Sequence, residues 1–167
     1  MSRTRAALLD AALRLLAERG TRRVSMADVA ARAGVAKGTL YNHFRTKEDV
    51  WSAVLDAEIR ALAEHCAGLG LARALAYAAE RLADHPVIRR FAADEPGTLA
   101  ALLTGTGPAR QLAADRVRGL LVGAGRDPDA AGLVLRWLES HLAQPGPAGT
   151  APELLAAVLP PATVELD

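Results

Sequence analysis

Residues 25–51 read SMADVAARAGVAKGTLYNHFRTKEDVW. Ser25 is followed three positions later by Asp28 and then by Val29, Ala30 and Ala33, the pattern of a reciprocally capped helix start. Gly34 stops that helix after about two turns. Val35 leads into a second short helix, in which Leu40 and Phe44 lie four apart and share a face. Thr46 and Asp49 repeat the capping pattern and open a longer helix. Two short helices joined by a tight glycine turn make a helix-turn-helix, here over about residues 25–44.

The second helix of such a motif has two demands on it. One face must be apolar to lock onto its partner helix, and the other must offer polar groups to base edges and phosphates in a major groove. Val35, Leu40 and Phe44 meet the first demand. Lys37, Thr39, Tyr41, Asn42 and His43 meet the second, and Gly38 lets a partner approach the backbone. Lys47, at the start of the next helix, is placed to reach a phosphate. Both lysines of the chain, Lys37 and Lys47, flank this helix.

Upstream, Leu9, Ala12, Leu13 and Leu16 recur at helical spacing until Gly20, which stands where a helix-ending glycine would. Downstream, the helix from Thr46 carries Trp51, Val54, Leu55, Leu62 and Cys66 on one stripe and can run to Ala67, before Gly68 and Gly70. Leu71, Leu75, Ala78 and Leu82 form the next stripe, closed by Asp84-His85-Pro86. Short helical segments are expected at Val87–Ala93 and Pro96–Leu103. Longer ones are expected at Pro108–Ala124 and Pro128–Leu142, each with Pro in its first turn. Residues 145–150, PGPAGT, read as a linker, and Glu153–Leu159 as a last short helix. The class is all-α, with a three-helix head over 1–60 and a helical bundle over 61–167.

Charge supports the division. Residues 1–50 hold ten Lys and Arg against five Asp and Glu, a net of +5, while the remainder carries −4 within a chain of net +1. A basic N-terminal third suits an anionic partner such as nucleic acid. The single Cys66 excludes a disulfide framework or a cysteine zinc site within the chain. No cofactor and no metal is expected. Asp10 and Arg14 interrupt any leader-like apolar run, and no stretch is long and apolar enough to span a membrane, so the cytoplasm is the expected compartment. No catalytic motif appears, and the adjacent His65 and Cys66 point about 100° apart on a helix, which excludes a nucleophile–base pair.

The segment Ser25–Trp51 resembles the DNA-binding signature of the TetR family, in its capped second helix, its Ala-Gly-Val turn, Lys-Gly-Thr-Leu-Tyr, His-Phe and the Thr-Lys-Glu-Asp helix start. The resemblance covers about the first 55 residues. It implies that Lys37, Gly38, Thr39, Tyr41, Asn42 and His43 face DNA. Tyr41 and His43 would lie on phosphate, Thr39 and Asn42 nearer to bases, Lys47 on the backbone and Ser25 as a cap that also meets phosphate. Ala36 departs from the Ser or Thr often found there and removes a helix cap. The resemblance further implies a homodimeric, ligand-responsive repressor that binds a pseudo-palindromic double-stranded operator. The apolar final long helix would supply the interface through Val134, Trp137, Leu138 and His141. The effector site is not specified: Arg89, Arg90, Arg136, His85 and His141 are its possible polar contacts. The alternative is a helical protein–protein interaction module that keeps the helix-turn-helix shape with little DNA affinity.

Overall fold

The computed structural model describes residues 3–97, 107–143 and 151–162. Its helices are α1 (Arg3–Arg19), α2 (Met26–Arg32), α3 (Lys37–His43), α4 (Lys47–Ala67), α5 (Leu71–Ala83), α6 (Pro86–Asp94), α7 (Pro108–Gly123), α8 (Ala131–Ala143) and α9 (Ala151–Val158). A 3-10 turn at Pro128–Ala130 precedes α8, so the helix expected from Pro128 begins as a tighter turn capped by the Asp127 side chain. No named strand occurs among the described residues. The PGPAGT linker lies outside them, and of the segment expected at Pro96–Leu103 only Pro96 and Gly97 fall within them.

The chain forms two compact units, one of Met1–Glu58 with Pro86–Ala100 and one of Ile59–His85 with Ala101–Asp167. In the first, α1 packs on both α2 and α6, and α2 packs on α3. The buried side chains are Leu8, Leu9, Ala12, Leu15 and Leu16 of α1, Val29 and Ala30 of α2, Leu40 and Phe44, Val50 and Val54 of α4, and Val87 and Phe91 of α6. Leu13, expected on this face, is only half-buried; Leu8 and Leu15 take its place because α1 is wrapped over a wider arc than one stripe. Arg32 clamps α2 to α1 through a two-pronged pair with Glu18, at 2.8 and 2.7 Å.

The second unit is built around Cys66, Ala74, Leu75, Ala78, Ala79, Leu121, Ala131, Val134, Leu138 and Leu159. His65 and Cys66 diverge as helix geometry requires. His65 stacks on Tyr77 with ring centroids 4.0 Å apart. Cys66 turns into the core, its thiol donating to the Ala74 carbonyl at 3.5 Å, and burial pushes its pKa up. The C-terminal segment is tied back by Arg126, which donates to the Leu159 carbonyl at 2.7 Å, and by backbone bonds from Asp127 to Pro160 and from Ala162 to Gly125.

Two glycines of the first unit have left-handed backbone, Gly20 at φ +72° and Gly34 at φ +67°. A β-carbon at Gly34 would meet nothing within 4 Å, whereas one at Gly20 would overlap the Glu95 Oε1 atom. Gly34→Ala is therefore expected to cost only the backbone term, about 1–2 kcal/mol. Gly20→Ala should cost that and also displace a buried carboxylate from its donors, a further loss on the order of 1–3 kcal/mol. Paired denaturant titrations of the two variants check the ranking.

Candidate nucleic-acid interface

The α2–turn–α3 unit is assembled from its caps and its glycine. Ser25 accepts from the Asp28 backbone N–H at 3.2 Å, and the Asp28 carboxylate accepts from the Ser25 N–H at 2.8 Å and from its hydroxyl at 2.5 Å. This is the reciprocal capping box expected from the sequence. Those bonds, the hydroxyl first, hold the Asp28 carboxyl below the usual aspartate range. The cap is thus fully formed above that range and is lost as pH falls through the lowered value. With its hydroxyl hydrogen given to Asp28, Ser25 serves here as a cap. At the glycine turn, Gly34 N–H bonds to the Ala31 carbonyl and Val35 N–H to the Ala30 carbonyl. The chain then re-enters a helix in a new direction.

Helix α3 is seven residues long and has no side-chain cap at Ala36. Leu40 is fully buried and Phe44 nearly so, with the Arg5 guanidinium 5.2 Å from the Phe44 ring centroid. That seating turns the rest of α3 outward. Lys37, Gly38, Tyr41, Asn42 and His43 are exposed, Tyr41 at 51%, and Thr39 is half-buried. One short helix thus presents a cation, an amide, an imidazole, a phenol and an open glycine. These are the donors and acceptors that base edges and phosphates need.

The start of α4 carries the second expected capping box: Asp49 accepts from the Thr46 and Arg45 N–H groups, and Thr46 Oγ1 accepts from Asp49 N–H. The backbone bond from Thr46 leads in holding the Asp49 carboxyl below the usual range. Lys47, expected to reach a phosphate, is half-buried, and its ammonium donates to the Thr21 carbonyl at 2.9 Å. An ammonium has three donors, so this bond orients Lys47 and leaves two. Sequence reasoning passed over Arg22, Arg23 and Arg45, which are exposed in the loops on either side of the motif; their charge is the only signal that marks them.

The residues expected at a subunit interface separate on α8. Val134 and Leu138, at 1% and 8% exposure, are spent in their own unit's core. A periodic apolar stripe marks a buried face without saying what buries it. Trp137 and His141 are half-exposed and meet edge to face at 4.5 Å, while Leu133, four residues before Trp137, is 45% exposed. Glu139 between them is paired with Arg110 of α7 at 3.0 Å.

An open cleft of about 630 Å³ lies in the second unit, walled by Arg60, Glu64, Leu69, Arg116, Leu120 and Arg126 among others. None of Arg89, Arg90, Arg136, His85 and His141 lines it. Arg90 is instead paired with Asp94 at 2.6 Å. Among the described residues no group of three or more His, Cys, Asp or Glu is arranged to hold a metal ion, and no helix is long and apolar enough to cross a membrane.

The sequence model of the family described as bacterial regulatory proteins, tetR family, matches residues 8–54. The regulator TtgR of Pseudomonas putida is 43% identical over 54 residues, 32% of this chain and 26% of that protein. The regulator BetI of Rhizobium meliloti is 38% identical over 127 residues, 71% of this chain and 57% of that protein. The chain thus spans about a quarter of the length of the first of these relatives and just over half of the second. Among solved structures, the TetR family repressor AlkX of Dietzia sp., implicated in n-alkane biodegradation, superposes with a TM-score of 0.69 at 22% identity, covering 92% of this chain and 91% of that one. The fatty acid degradation regulator FadR of Bacillus halodurans does so with a TM-score of 0.66 at 17% identity, covering 95% of each chain. At these identities the likeness is one of fold: a helix-turn-helix head followed by a helical C-terminal region.

Ala36→Ser should supply the missing cap of α3 and raise stability by about 0.5–2 kcal/mol, and Ser25→Ala should lower it by a similar amount. Thermal unfolding reads both. NMR titration of Asp28 in the Ser25→Ala protein should show its carboxyl returning toward the ordinary aspartate value.

Proposed function

We propose, for a chain that belongs through residues 8–54 to the tetR family of bacterial regulatory proteins, that it is a sequence-specific DNA-binding regulator. In this reading it is a cytoplasmic homodimer that represses from a pseudo-palindromic operator and responds to a small effector. The observation that carries the reading is the outward face of α3, where Lys37, Gly38, Tyr41, Asn42 and His43 stand exposed because Leu40 and Phe44 are buried beneath them. Lys37, Tyr41, His43 and Lys47 take phosphates; Thr39 and Asn42 read bases. Two such helices in one dimer enter major grooves one helical turn apart, about 34–36 Å, or a multiple of it.

The dimer is made by the outer face of α8. Leu133, Trp137 and His141 follow one another at four-residue spacing and are exposed or half-exposed, whereas Val134 and Leu138 belong to the monomer. What supports an effector site is the cleft of the second unit. Its wall carries Arg60, Arg116 and Arg126 against Glu64 and Asp115, a net positive lining beside Leu69, Leu71 and Leu120. That favours a small acid with an apolar body. FadR of Bacillus subtilis, solved in complex with stearoyl-CoA, shares the fold with a TM-score of 0.55.

The direct test is selection of duplexes from a randomised pool, followed by anisotropy titration against salt. The logarithm of affinity should fall with log salt by about 0.9 per phosphate neutralised. Lys37→Ala should lower that slope by about one without changing sequence preference. Asn42→Ala should relax preference at particular base pairs by roughly 1–3 kcal/mol. A chain that selects no sequence and gives no salt-dependent shift is the helical interaction module instead.

For the dimer, Leu133→Glu and Trp137→Glu should yield monomers in sedimentation, because Leu133 is exposed and Trp137 half-exposed in the monomer. Leu138→Glu should unfold the second unit, because it buries an unpaired charge. Dimers that persist in both of the first two variants would move the interface off α8.

A further inference from the structure

Glu95 is a carboxylate with only 7% of its surface exposed. It follows the last residue of α6 and reaches the end of α1, and both helix ends carry partial negative charge that repels it. Burying an anion is costly unless donors surround it. Thr21 supplies two, giving its N–H to Oε1 at 2.7 Å and its hydroxyl to Oε2 at 2.5 Å. The delivery is set by helix spacing. Val87, Phe91 and Glu95 succeed one another every four residues, and the first two are buried where α6 packs on α1. Gly20, with its left-handed backbone and no β-carbon, gives the carboxylate room.

The far side of Thr21 is held as well, since its carbonyl accepts from the Lys47 ammonium. Thr21 therefore joins Glu95 to Lys47, the residue at the head of α4 that flanks the exposed face of α3. We infer that Glu95, from outside the segment 8–54, is a positioning residue for DNA binding: by fixing Thr21 it sets where the Lys47 ammonium stands. The inference rests on the reading of this head as DNA-binding. The two Thr21 donors go to different oxygens of Glu95, and a carboxamide there would set an NH2 donor against one of them.

The probe is the set of duplexes that the wild-type full chain selects from a randomised pool. Glu95→Gln should weaken binding about tenfold, the order expected for losing a hydrogen bond to a charged group, and should lower the salt slope by about one. Lys47→Ala should do the same, and Glu95→Gln should add little in the Lys47→Ala background, since neighbours in one network are not additive. Thr21→Ser, which keeps both donors, should bind as wild type, and Thr21→Val should bind more weakly. Should Glu95→Gln fail to fold, the Thr21→Val and Thr21→Ser pair reads the same contact. A purely structural role would lower the fraction of active protein and leave the slope untouched, and that result overturns the inference. So does wild-type affinity and slope in both Glu95→Gln and Thr21→Val, which would leave the DNA-binding reading standing. A wild-type chain that selects no duplex overturns both.

Discussion

A seven-residue helix does not hold itself together in water, because nucleating a turn costs more than two turns of hydrogen bonds return. Helix α3 lacks even the modest help of a capping side chain. It exists because Leu40 and Phe44 are taken into the core of the first unit. That burial fixes the rotation of α3 about its axis, and the rotation decides which residues face outward. The outward face therefore depends on two apolar side chains buried away from any ligand on it. A polar residue at position 40 would abolish the face before it altered any contact on it.

The same logic accounts for the elements around α3. The two capping boxes, Ser25 with Asp28 and Thr46 with Asp49, fix where α2 and α4 begin, and Gly34 fixes the turn between α2 and α3. Such devices act over three or four residues, so they leave a mark on the sequence at the same distance. This is why the two capped helix starts and the glycine turn are legible in the sequence, whereas the missing cap at Ala36 shows only against the family resemblance.

Where a partner is remote, the sequence is silent. Nothing local to Glu95 reveals that its donors belong to Thr21, 74 positions earlier. Residues 86–100 share the first unit without a compositional sign of it. Lys47 could be read as a surface cation, but not as one already engaged with a carbonyl. On α8 the periodicity of Val134, Leu138 and Leu142 disclosed a buried face, yet the same pattern serves a monomer core and a subunit contact. Val134 and Leu138 are buried in the core of their own unit, while Leu133 is exposed and Trp137 half-exposed.

The chain visits the first unit twice, with Ile59–His85 of the second unit lying between the visits. During synthesis the head is therefore unfinished when its last contiguous residue, Glu58, emerges. Val87, Phe91 and Glu95 are still to come. At roughly 5–20 residues per second, the interval lasts seconds, long compared with the microsecond collapse of a helical segment. The α1 surface awaiting α6 stays uncovered for that time, and so does the loop awaiting its carboxylate. Completion of the head is thus ordered after the synthesis of α5, and a nascent chain arrested before residue 95 carries the whole helix-turn-helix on an open core.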